Sequence, residues 1–205
     1  MTTQEIKLSK ALENGIEFSC QMCGGCCRGF NEGEVYLHKG DILRLAKHLN
    51  LKGNSGLKKF AERYLKAIDD SFFWKEPKAE RGKPYKFKTL VFKFTGDDER
   101  CHFLLGNECT VHSYRPYQCR CFPFWHILVT SRKNYVNYSK KCPGLKESLV
   151  KKGEYYSAEQ ILTRATEEYE IEKKYFFEMK KHDFDINKVY PFLPKNFVEE
   201  ENKIK

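Results

Sequence analysis

"FSCQMCGGCCRGF", residues 18–30, carries four cysteines within eight residues: Cys20, Cys23, Cys26 and Cys27, the last two adjacent. Two residues between cysteines let a turn aim both flanking sulfurs at one ion, and Gly24 and Gly25 permit the close backbone approach such a turn needs. The adjacent pair asks for more. On extended backbone neighbouring side chains point to opposite sides, so Cys26 and Cys27 would serve two centres more easily than one. The alternative is that one of them is a small buried hydrophobe.

Five more cysteines lie at 101, 109, 119, 121 and 142, making nine in all. An odd total suits disulfide pairing poorly. The first ten residues, "MTTQEIKLSK", lack the apolar core of a signal peptide, and no run approaches the roughly 18 apolar residues of a membrane span. A cytoplasmic, reducing location is expected, where clustered cysteines point to metal or redox chemistry.

A zinc ribbon would need a second CxxC pair, and the distal cysteines offer none. Zinc itself stays open, because it accepts four thiolates tetrahedrally whatever their sequence separation. The first run also resembles the loops of bacterial ferredoxins, and Cys142 is followed by Pro143. The ferredoxin run, however, continues with a further cysteine that this chain lacks.

The 205 residues suffice for one core or two small ones, with 40% hydrophobic and 15% aromatic residues. The formal charge of +9 falls to about +5 if eight thiolates hold two dications. Basic and acidic residues also interleave, as in "RATEEYEIEKKYFFEMKKH", the pattern of a solvated face. A nucleic-acid binder is therefore the weaker reading, and it requires one continuous Lys/Arg face.

Along the chain, "VYLHKGDILRLAKHLNL" predicts a short strand and then a helix capped by Asp41, with Ile42, Leu45, Ala46 and Leu49 on one side. A second helix is expected through "LKKFAERYLKAI", with Leu57, Phe60, Ala61, Tyr64 and Ile68 as its stripe. "KEPKAERGKPYKF" reads as a loop and "KFKTLVFKF" as an edge strand with lysines facing water. From Cys101 to His126 the "GNE" turn suggests a tight hairpin-like connection. "ILVTS" and "YVNYS" read as two strands joined at "RKN". A long helix starts at Ser157, which stands at capping-box spacing from Gln160. The charged end of the chain is expected to fray. The expected fold is α+β: a compact single domain of small β elements and several helices, organised around cysteine-ligated metal centres. An N-terminal segment 1–17 precedes a cysteine-cluster domain 18–165, and a helix and tail 166–205 pack on it.

Taken together, "CxxCxxCC", "C-x-FL", "C-x-V-H-x-x-RP-x-x-CR-x-FPFW" and "CPG" resemble the YkgJ-like CxxCxxCC cysteine-cluster family, a zinc- or iron-chelating domain of bacterial type. The likeness runs from about Phe18 to the region of Ser157–Ile161. Carried over residue by residue, it implies eight metal ligands: Cys20, Cys23, Cys26, Cys27, Cys101, Cys109, Cys119 and Cys142. Cys121 falls where the family pattern varies, which implies a packing residue or spare ligand. The resemblance implies zinc or iron; the adjacent pair and the eight thiolates point to two centres, holding ions or an iron–sulfur cluster. The family also includes flagellin lysine methylases, whose chains carry further sequence. The alternative function is accordingly a metal-dependent enzyme of redox or group-transfer type with one open centre.

Neighbouring residues suit either metal. Arg115 and Arg120 would offset thiolate charge, Pro116 fixes a turn before Cys119, and Phe122–Trp125 could wall the site from water or simply be core. His112 and His126 could replace a thiolate or act behind the ligands. No G-x-S-x-G, HExxH or P-loop is present.

Overall fold

The computed structural model describes residues 6–28, 33–146 and 153–200. Gly29 and Phe30 of the opening stretch lie outside these, as does the charged end at 201–205 expected to fray.

The architecture is α+β and centres on one long hairpin, β2 (Leu65–Trp74) paired antiparallel with β3 (Lys83–Phe92), in register from Leu65↔Phe92 to Trp74↔Lys83. The predicted β3 is there, but the expected second helix stops at Tyr64 and its last residues begin β2. Asp69, Asp70 and Ser71 favour turns and caps over helix interiors, whereas Phe72, Phe73 and Trp74 favour a pleated surface. Burial then alternates, with Leu65 and Ala67 inside and Lys66 and Ile68 half-buried. The loop expected over 75–87 shrinks accordingly.

Before the hairpin, α1 (Lys39–His48) and α2 (Gly53–Tyr64) pack Ile42, Leu45, Ala46, Phe60 and Ala61 inward at helical spacing. The short strand expected at Val35–Leu37 is a single bridge from Tyr36 to Val91, flanked by backbone bonds from Leu37 to Leu90 and from Phe92 to Val35. Asp41 does not cap α1, since His38 occupies the N-cap position. The buried Asp41 carboxylate instead accepts from the Tyr117 backbone N–H at 3.0 Å and from Arg44 at 2.6 Å. It thereby ties α1 to the segment carrying Cys119.

The "GNE" turn forms the expected hairpin, Leu104–Leu105 against Glu108–Cys109. Beyond it, α3 (Tyr117–Cys121) starts from Pro116. The two strands expected after Trp125 are helices, α4 (His126–Val129) and α5 (Arg132–Lys141). Val136 and the tyrosines favour strands locally, but tertiary packing overrides them. Ser131 caps α5, accepting from Asn134 N–H. Tyr138 is set against Phe122 and Trp125, an arrangement that one helical face provides.

The long helix Ala158–Lys181 carries the full capping box: Ser157 Oγ accepts from Gln160 N–H at 3.2 Å, and Gln160 Oε1 accepts from Ser157 N–H at 2.8 Å. Ser157→Ala should cost about 1 kcal/mol, read as a lower urea midpoint with an unchanged slope; no shift would show the cap to be idle. The helix runs unbroken across residue 165, the expected domain edge, and joins two clusters. Tyr169, Phe176 and Met179 pack with the hairpin and α1–α2. Ile161 and Ala165 pack with Leu12, Cys121, Phe124 and Val129.

A candidate cysteine metal centre

Several local structures deliver the cysteines, among them two short strand pairs that set Cys101 opposite Phe94 and Cys109 opposite Leu104. β1 (Ile16–Phe18), paired antiparallel with Glu154–Tyr156, leads directly into Cys20. Cys26 and Cys27 sit in a 3-10 turn, Gly25–Cys27, whose preceding residue Gly24 takes φ +70°. Arg28 Nη1 donates to the Gly24 carbonyl at 2.9 Å, and a Cβ on Gly24 would lie 2.5 Å from that nitrogen. The positive φ favours glycine here, and a side chain would also displace the Arg28 guanidinium from that carbonyl. Gly144, following Cys142 and Pro143, approaches so closely that a Cβ there would lie 2.5 Å from the Ser19 carbonyl. That contact holds the "CPG" segment against the first loop.

Cys119 is placed by a network around α3. The Gln118 side chain accepts from Tyr36 N–H at 2.6 Å and donates to the Glu34 carbonyl at 3.1 Å, while Trp125 Nε1 donates to the Gln118 carbonyl at 2.8 Å. With Asp41 holding Tyr117, the short helix is fixed on the edge of β3.

The outcome is one cavity of about 150 Å³ lined by Cys20, Cys23, Cys26, Cys27, Cys101, Cys109, Cys119 and Cys142. Cys121 is elsewhere. Its thiol is 2% exposed in the second cluster, 3.6 Å from the carbonyls of Phe124 and Arg164, and burial raises it to about 12. The cavity has a rim and a floor: Cys20, Cys23 and Cys26 are exposed, Cys27, Cys109, Cys119 and Cys142 half-buried, and Cys101 buried.

The adjacent pair departs from expectation. The 3-10 turn brings the two sulfurs to 4.0 Å, on one side of the chain and not on opposite sides. Sulfurs about 2.3 Å from a tetrahedral ion lie about 3.8 Å apart, so this spacing also suits a single ion.

Every resolved thiol shift in the cavity is upward. Burial raises Cys101 to about 11 and Cys119 well above its ordinary value, with the charges of Cys26, Cys101 and Cys109 adding at Cys119. Burial also raises Cys109 and Cys142, the latter aided by Cys23 and Cys26. Cys26 is raised first by its hydrogen bond with Cys27. Cys26, Cys101, Cys109, Cys119 and Cys142 therefore hold their protons more tightly than free thiols, and a bound dication reverses the preference.

Arg115 lines the cavity and draws Cys26, Cys109 and Cys119 back toward ionisation. Arg120 does not: its Nε donates to the Arg115 carbonyl and its guanidinium lies over the Tyr117 ring, on another face. Phe122 walls the cavity, Phe124 is core, and Trp125 packs edge-on against Phe122. His112 lines the cavity, whereas His126 faces a different one beside Glu168 and Glu172. Lys141, also on the cysteine cavity, was missed by sequence reasoning, although its place next to Cys142 was a usable signal.

Fold and site together define an α+β domain folded around a cysteine-lined cavity. A family model described as "Putative zinc- or iron-chelating domain", CxxCxxCC, matches residues 19–147, and the chain belongs to this family. The match begins where the sequence motif begins and ends short of the long helix. No solved structure matches the chain. Among the described residues no helix is long and apolar enough to cross a membrane.

Proposed function

We propose that this zinc- or iron-chelating protein holds its metal through Cys20, Cys23, Cys26, Cys27, Cys101, Cys109, Cys119 and Cys142, in two four-sulfur sets. The observation carrying this reading is that these eight, and not Cys121, line one cavity. Cys27, Cys109 and Cys119 pack against the large core of which Cys101 is a member, which supports them as the inner set. Cys142 feels Cys23 and Cys26 from the rim, which supports Cys20, Cys23, Cys26 and Cys142 as the outer set, with Cys26, whose charge also acts on Cys101, Cys109 and Cys119, as the member nearest the inner set. The 4.0 Å step from Cys26 to Cys27 then links the two. The metal's structural role is to clamp the first loop to segments about a hundred residues on, closing long loops.

Protein purified without oxygen should carry zinc or iron, near two equivalents per chain as single ions or about four to eight iron atoms as iron–sulfur clusters. A brown, oxygen-sensitive absorbance would assign iron–sulfur chemistry to the site, and a colourless zinc-loaded protein would assign structural zinc. Neither metal at useful stoichiometry would remove the proposal. Because buried thiols such as Cys101 and Cys119 are raised, loading must expel their protons: affinity should keep rising with pH toward about 11 and fall in acid. A pH-independent affinity would contradict thiolate ligation.

The three exposed rim cysteines support a second reading, an enzyme whose outer centre keeps a reactive position. It predicts selective alkylation of Cys20, Cys23 or Cys26 in the metal-loaded protein; complete protection would exclude it.

A further inference from the structure

A second cavity, of about 270 Å³, lies on the other side of α3, between β2, α4 and the long helix. Asp70, Glu168 and Glu172 line it, with His126 and His38, and none of its lining residues is Lys or Arg. That is unusual in a chain with 37 basic residues, since three carboxylates in one cavity repel one another. Glu172 feels the charges of both Glu168 and Asp70. Glu168 and Glu172 stand four apart on one face of the long helix, and His126 meets them from the first position of α4.

The spacing is informative. Ligand atoms of His126, Glu168 and Glu172 all lie within 4.8 Å of one another. His126 Nδ1 is 3.6 Å from Glu168 Oε2 and 3.9 Å from Glu172 Oε2, too far for hydrogen bonds. Around an ion with bonds of 2.0–2.2 Å, neighbouring ligand atoms lie about 3.0–3.5 Å apart. The two distances from His126 are thus a few tenths of an ångström wider than a coordination shell, and the two carboxylates lie within 4.8 Å of each other. His126 Nδ1 is also buried without a hydrogen-bond partner, and so is His38 Nδ1. Glu168 Oε2 accepts from the His126 backbone N–H at 2.5 Å, which fixes the carboxylate beside the imidazole.

We propose that His126, Glu168 and Glu172 form a second metal site, distinct from the cysteine cavity, that takes a divalent cation favouring oxygen and nitrogen ligands, of the Mn²⁺ or Fe²⁺ kind. One imidazole and two carboxylates are the donor set such ions prefer, whereas thiolates select zinc and iron–sulfur clusters. The remaining coordination positions open onto the cavity, since the side chains of His126 and Glu172 are 33% and 39% exposed.

The site is tested by titrating Mn²⁺ into the full chain with its cysteine metal in place, following free Mn²⁺ by electron paramagnetic resonance. The wild type should bind one Mn²⁺ per chain. Glu172→Gln and His126→Gln should each weaken Mn²⁺ binding at least tenfold, and both should leave the sulfur-ligated zinc or iron at the wild-type level. That last arm separates this site from the cysteine reading. Circular dichroism verifies folding, and if His126→Gln does not fold, Glu172→Gln, at a more exposed position, carries the test. A wild type that binds no Mn²⁺ would show His126 and the glutamates to be an ion pair only and overturn the proposal. Mn²⁺ binding that survives Glu172→Gln, or sulfur-ligated metal that is lost along with it, would overturn it too.

Discussion

Cys119→Ser is expected to lose about one of two metal equivalents and to destabilise the chain by several kcal/mol in the metal-loaded state, because structural metal binding is itself folding energy of about 10 kcal/mol or more per site. The position magnifies the effect. Cys119 sits at the floor of the cavity, where burial and the charges of Cys26, Cys101 and Cys109 act together on its thiol. Serine is nearly isosteric but a poor soft ligand, so the change removes coordination with little change in packing. Cys121→Ser, two residues on and also on α3, is the matched control. Its sulfur lies in the second cluster and lines a different cavity, so metal content should stay at the wild-type level. Equal metal loss in both variants would mean that α3 acts through folding alone. Equal retention would remove Cys119 from the ligand set.

Phe176→Ala should give the largest loss of stability of any single change away from the cysteines, about 3–5 kcal/mol. The side chain is fully buried, and its ring lies within 6.3 Å of Phe72, Trp74, Tyr85, Phe87, Phe177 and Phe184, with the closest centroid, Phe72, at 4.9 Å. It is the point at which the long helix grips both strands of the hairpin. Removing it leaves a cavity that six rigid rings cannot collapse into. Thermal unfolding by circular dichroism would show a fall of more than ten degrees at constant metal content. A fall of a degree or two would mean that the aromatic cluster repacks.

What the sequence made legible was local. The capping box at Ser157, the apolar spacing of α1 and the "GNE" turn each depend on a few adjacent residues, and the structure carries all three. What it hid depends on distant partners. Asp69, Asp70 and Ser71 disfavour a helix beyond Ile68, but Ile68 itself continues the helical stripe, and only pairing with Thr89 across the hairpin makes it a strand residue. Tyr135, Val136 and Tyr138 look like strand formers until Phe122 and Trp125 supply a surface that a helix fits. The cysteine pattern was legible as chemistry because eight thiols in that order are specific, and Cys121 was set apart by the family pattern. The disposition of Cys26 and Cys27 was not legible. Neighbouring side chains take opposite faces only on extended backbone, and Gly24 and Gly25 bend the chain into a turn. The carboxylate and histidine cavity was equally hidden, since Asp70, His126 and Glu172 come from three separate elements.

The most direct test of thiolate ligation is X-ray absorption at the zinc or iron edge of anaerobically purified protein. The ligand set argued above predicts a first shell of sulfur at about 2.3 Å, four per metal. A shell of nitrogen and oxygen alone, at about 2.0–2.1 Å, would contradict it.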